Sequence, residues 1–217
     1  MVEAILWDND GVLVDTECFF FESTRTILAT IGIELSLEQF LDFSMRQGRS
    51  GFELAIESGW DKQQVANLKR QRDALYSEML HTEMRVLPGV VETLKALHGR
   101  IRMAVVTSSQ RQHFDLIHAN IDLTGYFEFV LAREDYAKTK PSPEPYLLAL
   151  ERLGTKAENC VAVEDSERGL AAARAADSKR NHPQLQFSRS HRHIAASCGR
   201  SRRLGRIVGR KFGFQPS

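Results

Sequence analysis

Cysteine is nearly absent. Cys18, Cys160 and Cys198 are the only three in 217 residues, and no CxxC or Cys/His spacing accompanies them. A cysteine-built zinc site is thereby excluded, and free thiols in a reducing, cytoplasmic setting are the expectation. Long apolar runs are missing too. None reaches the ~18 residues of a membrane span, so no membrane association is expected. The opening run Val2 to Trp7 has neither a basic segment before it nor a small-residue cleavage site after it, so no signal peptide is expected. Nothing repeats internally. Acids are also missing from one long stretch. Residues 177–217 carry 10 Lys and Arg against Asp177 alone, a net of +9, while residues 1–176 carry 19 against 27, a net of −8. The total of +1 hides that asymmetry, which is the more informative quantity.

What is present is an ordinary globular composition, 42% hydrophobic and 26% charged, on a chain long enough to bury a core. Glu3 to Asp8 reads as a short buried strand ending in an acid. Ile101–Thr107, Glu128–Leu131 and Cys160–Glu164 read likewise. Helical patterns lie between and after them, at Gly89–His98, Gln112–Ile121, Pro145–Leu153 and Glu167–Ala176. Strands alternating with helices predict an α/β fold with a parallel, doubly wound sheet. The interval 16–85 differs. Phe19, Ile27, Leu28 and Ile31, then Leu37–Met45, then Val65–Leu80, fit helical spacing, and no strand is evident. An all-helical module inserted after the first strand is predicted. The domain expectation is therefore a core of 1–15 and 86–176, a helical insert of 16–85, and a basic tail of 177–217 whose composition predicts disorder.

Four short segments could carry chemistry. Asp8-Asn9-Asp10-Gly11-Val12 closes the first strand, where open α/β sheets bind ligands. Asn-Asp-Gly is also ordinary turn chemistry. The spacing does not fit a calcium loop, which needs Gly at its sixth position and Glu at its twelfth, where Phe19 stands here. Thr107-Ser108-Ser109 ends the second strand with hydroxyls that could bind a phosphate or simply cap a helix. Lys140 precedes a helix in Lys138-Thr139-Lys140-Pro141-Ser142-Pro143 and could be a fixed cation or a solvated loop residue. Glu164-Asp165 ends another strand and could hold a cation or complement a helix N-terminus. Each bland reading stands alone; all four in this order, at strand ends or before a helix, are harder to dismiss.

Together these segments, with Val163-Glu164-Asp165-Ser166-Glu167-Arg168-Gly169 as the fourth, resemble the four motifs of the haloacid dehalogenase superfamily. The resemblance covers residues 1–176, and the helical insert resembles that family's small cap. The subgroup resembled is the β-phosphoglucomutase-like phosphatases, which implies a Rossmann-like core. It also implies roles. Asp8 would be the nucleophile that forms an aspartyl-phosphate. Asp10 would be the general acid and base. Thr107 and Ser108 would bind the transferring phosphoryl, and Lys140 would neutralise its charge. Asp165 would complete a Mg²⁺ site with the Asp8 carboxylate and the Asp10 backbone carbonyl, assisted by Glu164. Arg49, in Gly48-Arg49-Ser50, resembles part of the substrate-specificity loop. The implied substrate is a small phosphorylated metabolite. Dehalogenases and phosphonatases lack an acid at the Asp10 position, so phosphate-ester chemistry is expected.

The sequence departs from that pattern twice. The cap histidine of the mutases falls at Phe20, which favours a simple phosphatase over a mutase. Family members continue after the last helix with a Gly turn and an apolar strand, where this chain has Asp177-Ser178-Lys179-Arg180-Asn181-His182. The change reads as a shifted reading frame or as a genuine basic tail for a polyanion. Specific nucleic-acid recognition is not expected, because no aromatics interleave the charges. Leu185-Gln186-Phe187 and Ile207-Val208 are too short to be favoured as replacement strands. Two function classes stay open here: an active Mg²⁺-dependent phosphatase, and a weak or inactive chain that has lost its last core strand.

Overall fold

In the computed structural model, which describes residues 2–81, 85–119, 121–177 and 186–187, the apolar run Ala4–Trp7 forms β1 and is buried at every position. Successive residues of a strand point to opposite faces, so complete burial means that both faces of the sheet are covered. The other strands are β2 (Arg102–Val106), β3 (Val130–Leu131), β4 (Cys160–Glu164) and β5 (Gln186–Phe187). They pair in the order β3-β2-β1-β4-β5, all parallel. Trp7 sits opposite Val105 on one side and Val163 on the other. One residue further along each strand stand Asp8, Val106 and Glu164, so this register brings the predicted motifs to one edge.

The strand at Gln186–Phe187 corrects an expectation. Its two residues pair with Val163 and Glu164, covering the end of β4 where no replacement was favoured. So short a run serves because it meets only the last two positions of β4, where an open edge would leave backbone groups unpaired. The rest of the expectation for the basic tail, at 178–185 and 188–217, lies outside the described residues.

The chain divides into two compact units, one within 1–15 and 84–189 and the other within 16–83. The second unit is helical: α1 (Glu17–Ala29), α2 (Leu37–Phe40), α3 (Glu53–Glu57) and α4 (Lys62–Leu80). Capping boxes start α2 and α4, with Ser36 and Gln39 in one and Asp61 and Gln64 in the other, each satisfying two otherwise orphaned N–H groups. The single helix expected over 37–45 breaks. After one α turn the chain widens into a π-helical segment, Leu41–Gln47, which Gly48 ends in the left-handed conformation at φ 68°. Helices α1 and α4 pack together around buried Phe19, Phe21, Ile27, Leu28, Leu75 and Met79. Phe20, the position of the expected mutase histidine, carries the Arg72 guanidinium over its ring at 4.1 Å and meets Tyr76 edge-on at 5.3 Å.

Four more helices flank the sheet: α5 (Val90–Leu97), α6 (Arg111–His118), α7 (Glu144–Leu153) and α8 (Glu167–Ala176). On one face, Tyr146, Ala149, Leu150 and Leu153 of α7 and Ala172 and Ala173 of α8 form a continuous core with Ala4, Leu6, Ala104, Val106 and Ala162. The small residues on the strands and on α8 let these helices approach closely, and Tyr146 fills the space that remains. Among the described residues no helix is long and apolar enough to cross a membrane. Cys160 is a free thiol.

Candidate active site

The site begins with the turn that follows β1. Asp8 donates its backbone N–H to Val163 O (2.9 Å), which keeps it in line with β4. The chain then folds back tightly. Asn9 O accepts from Val12 N, Leu13 N and Val14 N, and Gly11 takes φ 74°, a conformation that glycine adopts without strain. This turn carries Asp10 to the end of β2. Asp10 Oδ2 accepts there from Ser109 Oγ at 2.5 Å, lies 3.4 Å from Thr107 Oγ1, and lies 3.3 Å from Asn9 Nδ2. Neither Thr107 nor the serines cap α6, whose N-cap is Gln110 without a side-chain bond. Thr107 is fully buried, and Ser108 Oγ is buried with no hydrogen-bond partner among the described residues.

Lys140 is only 2% exposed. Its Nζ bonds Val106 O (2.8 Å) and Glu164 Oε1 (2.5 Å) and lies 3.2 Å from Asp8 Oδ1. Burial pulls its pKa down, but Asp8 and Glu164 outweigh that, so the ammonium sits above its usual value. Asp8 feels the opposite balance. Burial first, then the Glu164 carboxylate, pushes its carboxyl up to about 8 against the pull of Lys140. Glu164 Oε1 also accepts from Tyr146 Oη at 2.5 Å. Burial first, then Glu164 and Asp8, holds that phenol well above its ordinary pKa, which keeps it a donor. Ser166 caps α8 by accepting from Gly169 N (3.1 Å) and reaches Glu164 Oε2 at 3.3 Å. Gly169 is there for space, since a Cβ at that position would overlap the Glu164 carboxylate. Asp165 completes the group. Ligand oxygens of Asp8, Glu164 and Asp165 all lie within 4.8 Å of one another.

The structure thus brings together Asp8, Asp10, Thr107, Lys140, Glu164 and Asp165. Arg49 belongs to the helical unit, where Glu53 (2.5 Å) and Glu57 (3.1 Å) hold its guanidinium. Four residues were not foreseen: Ser109 beside Asp10, Tyr146 beneath Glu164, Tyr136, which donates to Thr107 O at 2.6 Å, and His118. The ring of His118 stacks on Phe114 (4.2 Å) and its Nε2 lies 2.8 Å from Asn9 Oδ1. Burial lowers its pKa to about 4 against the pull of Asp10 and Asp115. Ser109 stood inside a quoted motif and was within reach of sequence reasoning. His118 and the tyrosines sit on helix or loop positions that spacing alone does not distinguish from core.

A model of the haloacid dehalogenase-like hydrolases matches residues 5–180. This chain belongs to that family. A phosphorylated carbohydrates phosphatase of Thermotoga maritima is 32% identical over 185 residues, covering 82% of this chain and 83% of that one. The fructose-1-phosphate phosphatase YqaB of Escherichia coli is 29% identical over 172 residues, covering 79% and 91%. Among solved structures, CbbY of Rhodobacter sphaeroides, in complex with phosphate, superposes with a TM-score of 0.71 at 25% identity, covering 88% of this chain and 87% of that one.

The hydrolase site fits a divalent cation on its own chemistry. Three carboxylates converge within 4.8 Å against the single charge of Lys140. Hard oxygen donors of this kind suit Mg²⁺, which binds through one or two carboxylates and keeps several waters.

Two outcomes follow from this geometry. Gly169→Ala forces its methyl group onto a carboxylate pinned by Lys140 and Tyr146, so it destabilises the fold by roughly 1–3 kcal/mol, read by urea unfolding, whereas Gly125→Ala, with open space around it and no positive φ, does not. His118 is protonated near 6.5 when unfolded and only near 4 when folded. Between those values the unfolded state binds more protons, so stability falls as pH drops from 6.5 to about 4. The full contribution is about 3 kcal/mol at ~1.4 kcal/mol per pH unit, and thermal melts of wild type against His118→Gln across that range isolate it.

Proposed function

We propose that this hydrolase is a Mg²⁺-dependent phosphatase that cleaves a small phosphorylated metabolite through an aspartyl-phosphate on Asp8. The observation that carries the reading is the convergence of Asp8, Asp10, Thr107, Lys140 and Asp165 beyond the ends of β1, β2 and β4. The names of the two relatives, which describe phosphatases of phosphorylated carbohydrates and of fructose 1-phosphate, support a sugar phosphate or a similar ester as substrate. In this reading residues 16–85 are a helical cap module, residues 1–15 and 86–176 are the catalytic core, and Arg49 is a substrate contact.

Asp8 attacks phosphorus, and the bond from phosphorus to the alcohol oxygen breaks as Asp10 gives that oxygen its proton. Water then attacks the aspartyl-phosphate while Asp10 takes its proton. The bond between Asp8 and phosphorus breaks, and inorganic phosphate leaves. Thr107 Oγ1 and Ser108 Oγ supply donors to the phosphoryl oxygens, and Lys140 supplies a fixed cation beside Asp8. Phosphoryl transfer asks mainly for such positioning and charge stabilisation. The Asp8 and Asp165 carboxylates and the Asp10 backbone carbonyl would hold Mg²⁺, with Glu164 assisting; when bound it supplies charge neutralisation at the phosphoryl group.

The loss of the expected last strand does not favour an inactive chain, since β5 pairs along the end of β4 that leads into Asp165. Phe20 cannot exchange protons, which supports a phosphatase over a mutase.

With 4-nitrophenyl phosphate, hydrolysis is expected to require Mg²⁺, to disappear with a chelator or with Asp8→Asn, and to be inhibited by beryllium fluoride, which mimics a phosphoryl group on Asp8. Wild-type turnover by Asp8→Asn in a steady-state assay would remove Asp8 from the mechanism. With β-glucose 1-phosphate the expected product is glucose and inorganic phosphate. Efficient formation of glucose 6-phosphate, followed by a coupled dehydrogenase assay, would restore the mutase reading.

A further inference from the structure

A buried hydrogen-bond chain runs from α6 to the site aspartates, and the reaction above makes no use of it. His118 Nε2 lies 2.8 Å from Asn9 Oδ1, and Asn9 Nδ2 lies 3.3 Å from Asp10 Oδ2. Asn9 is fully buried and its backbone carbonyl is occupied by the turn, so only its side-chain amide is left to choose an orientation. Phe114 stacks on the His118 ring at 4.2 Å and 25°, which fixes the plane of the imidazole.

The far side of the ring settles the direction of the chain. His118 Nδ1 is buried without a hydrogen-bond partner among the described residues. A proton on Nδ1 would leave an orphaned N–H there and turn the Nε2 lone pair toward the Asn9 oxygen. Turning the Asn9 amide over to relieve that clash would aim its carbonyl at the Asp10 carboxylate. A proton on Nε2 leaves only one unsatisfied ring lone pair and makes every other contact attractive. The ordering is therefore Nε2–H of His118 to Oδ1 of Asn9, then Nδ2–H of Asn9 to Oδ2 of Asp10.

We propose that His118 is a positioning residue for proton transfer: through the Asn9 amide, and together with Ser109 Oγ, it fixes the Asp10 carboxyl group, whose proton goes to the leaving oxygen. This rests on the reading of Asp10 as the general acid and base. His118 touches neither phosphate nor alcohol in this scheme. It acts by denying Asn9 its second orientation, which would set a carbonyl against Asp10 and swing the carboxylate away.

The test compares two esters of similar size. 4-Nitrophenyl phosphate releases an acidic phenol that needs little help from a proton donor. Benzyl phosphate releases a weakly acidic alcohol that needs much. The ratio kcat/KM reports only the steps up to alcohol release, so it separates assistance to leaving from later hydrolysis. His118→Leu is expected to lower kcat/KM for benzyl phosphate about tenfold or more beyond any loss on 4-nitrophenyl phosphate, a fraction of the full general-acid contribution. His118→Gln, whose side-chain amide can still donate to Asn9, is expected to recover most of that loss. Equal losses on both esters, or no recovery with Gln in a variant that melts like wild type, would reduce His118 to packing and overturn the proposal. A ¹⁵N spectrum of the histidine rings checks the chain without any activity: wild type is expected to carry the His118 proton on Nε2, and a proton on Nδ1 overturns the proposal. Should Asp10→Asn itself treat the two esters alike, the acid–base reading of Asp10 fails and takes the proposal with it, while the spectrum still reports whether the hydrogen-bond chain exists.

Discussion

The site depends on one buried ammonium. Lys140 stands between Asp8 and Glu164 at 3.2 and 2.5 Å, with Val106 O as its third partner. Without it, two carboxylates would face each other inside the protein, and removing one partner from such a buried pair costs about 3–5 kcal/mol. The same contact aligns the ends of three strands, because Asp8 follows β1, Val106 closes β2 and Glu164 closes β4. Much nearby structure serves this arrangement. Tyr146 donates to Glu164 from the core face of α7, Gly169 clears room for the carboxylate, and Ser166 both caps α8 and reaches Glu164. One lysine thus couples the strand register to the electrostatics of Asp8.

Around that centre the site divides its labour between two oxygen clusters. Asp8, Glu164 and Asp165 form an acidic side, where charge accumulates and hard oxygen donors converge. Asp10 leans the other way, into hydroxyl and amide donors from Ser109, Thr107 and Asn9. In an extended strand, residues two apart share a face; it is the turn at Asn9 and Gly11 that sends Asp8 toward β4 and Asp10 toward β2. In the proposed reaction the first serves as nucleophile and the second as proton carrier.

The parallel core was legible in the sequence because strands buried on both faces are continuous apolar runs, and β1, β2 and β4 came out within a residue or two of their expected bounds. The helical insert was legible by periodicity, but its interior was not. The run 37–45 has helical spacing throughout, and that pattern does not distinguish an α-helix from the π-helical segment that Gly48 ends. The pairing of Gln186–Phe187 with β4 escaped for a related reason. A two-residue strand carries too little pattern to be seen, and its place is set by the open end of its neighbour.

By itself the sequence determined the chemical inventory: a nucleophile-type aspartate at a strand end, a second acid two residues on, hydroxyls, a lysine and an acidic pair in fixed order. Residue type and strand-end position are local properties, and local properties are written along the chain. Only the tertiary structure decided which atoms meet. Lys140 lies 132 positions from Asp8 and His118 lies 109 from Asn9, and nothing in their neighbourhoods marks them as partners. Burial then gave those contacts their strength, since a 3 Å approach matters far more between desolvated groups than on a wet surface. The order of the motifs was a property of the chain, and the electrostatics of the site came from folding them into one place away from water.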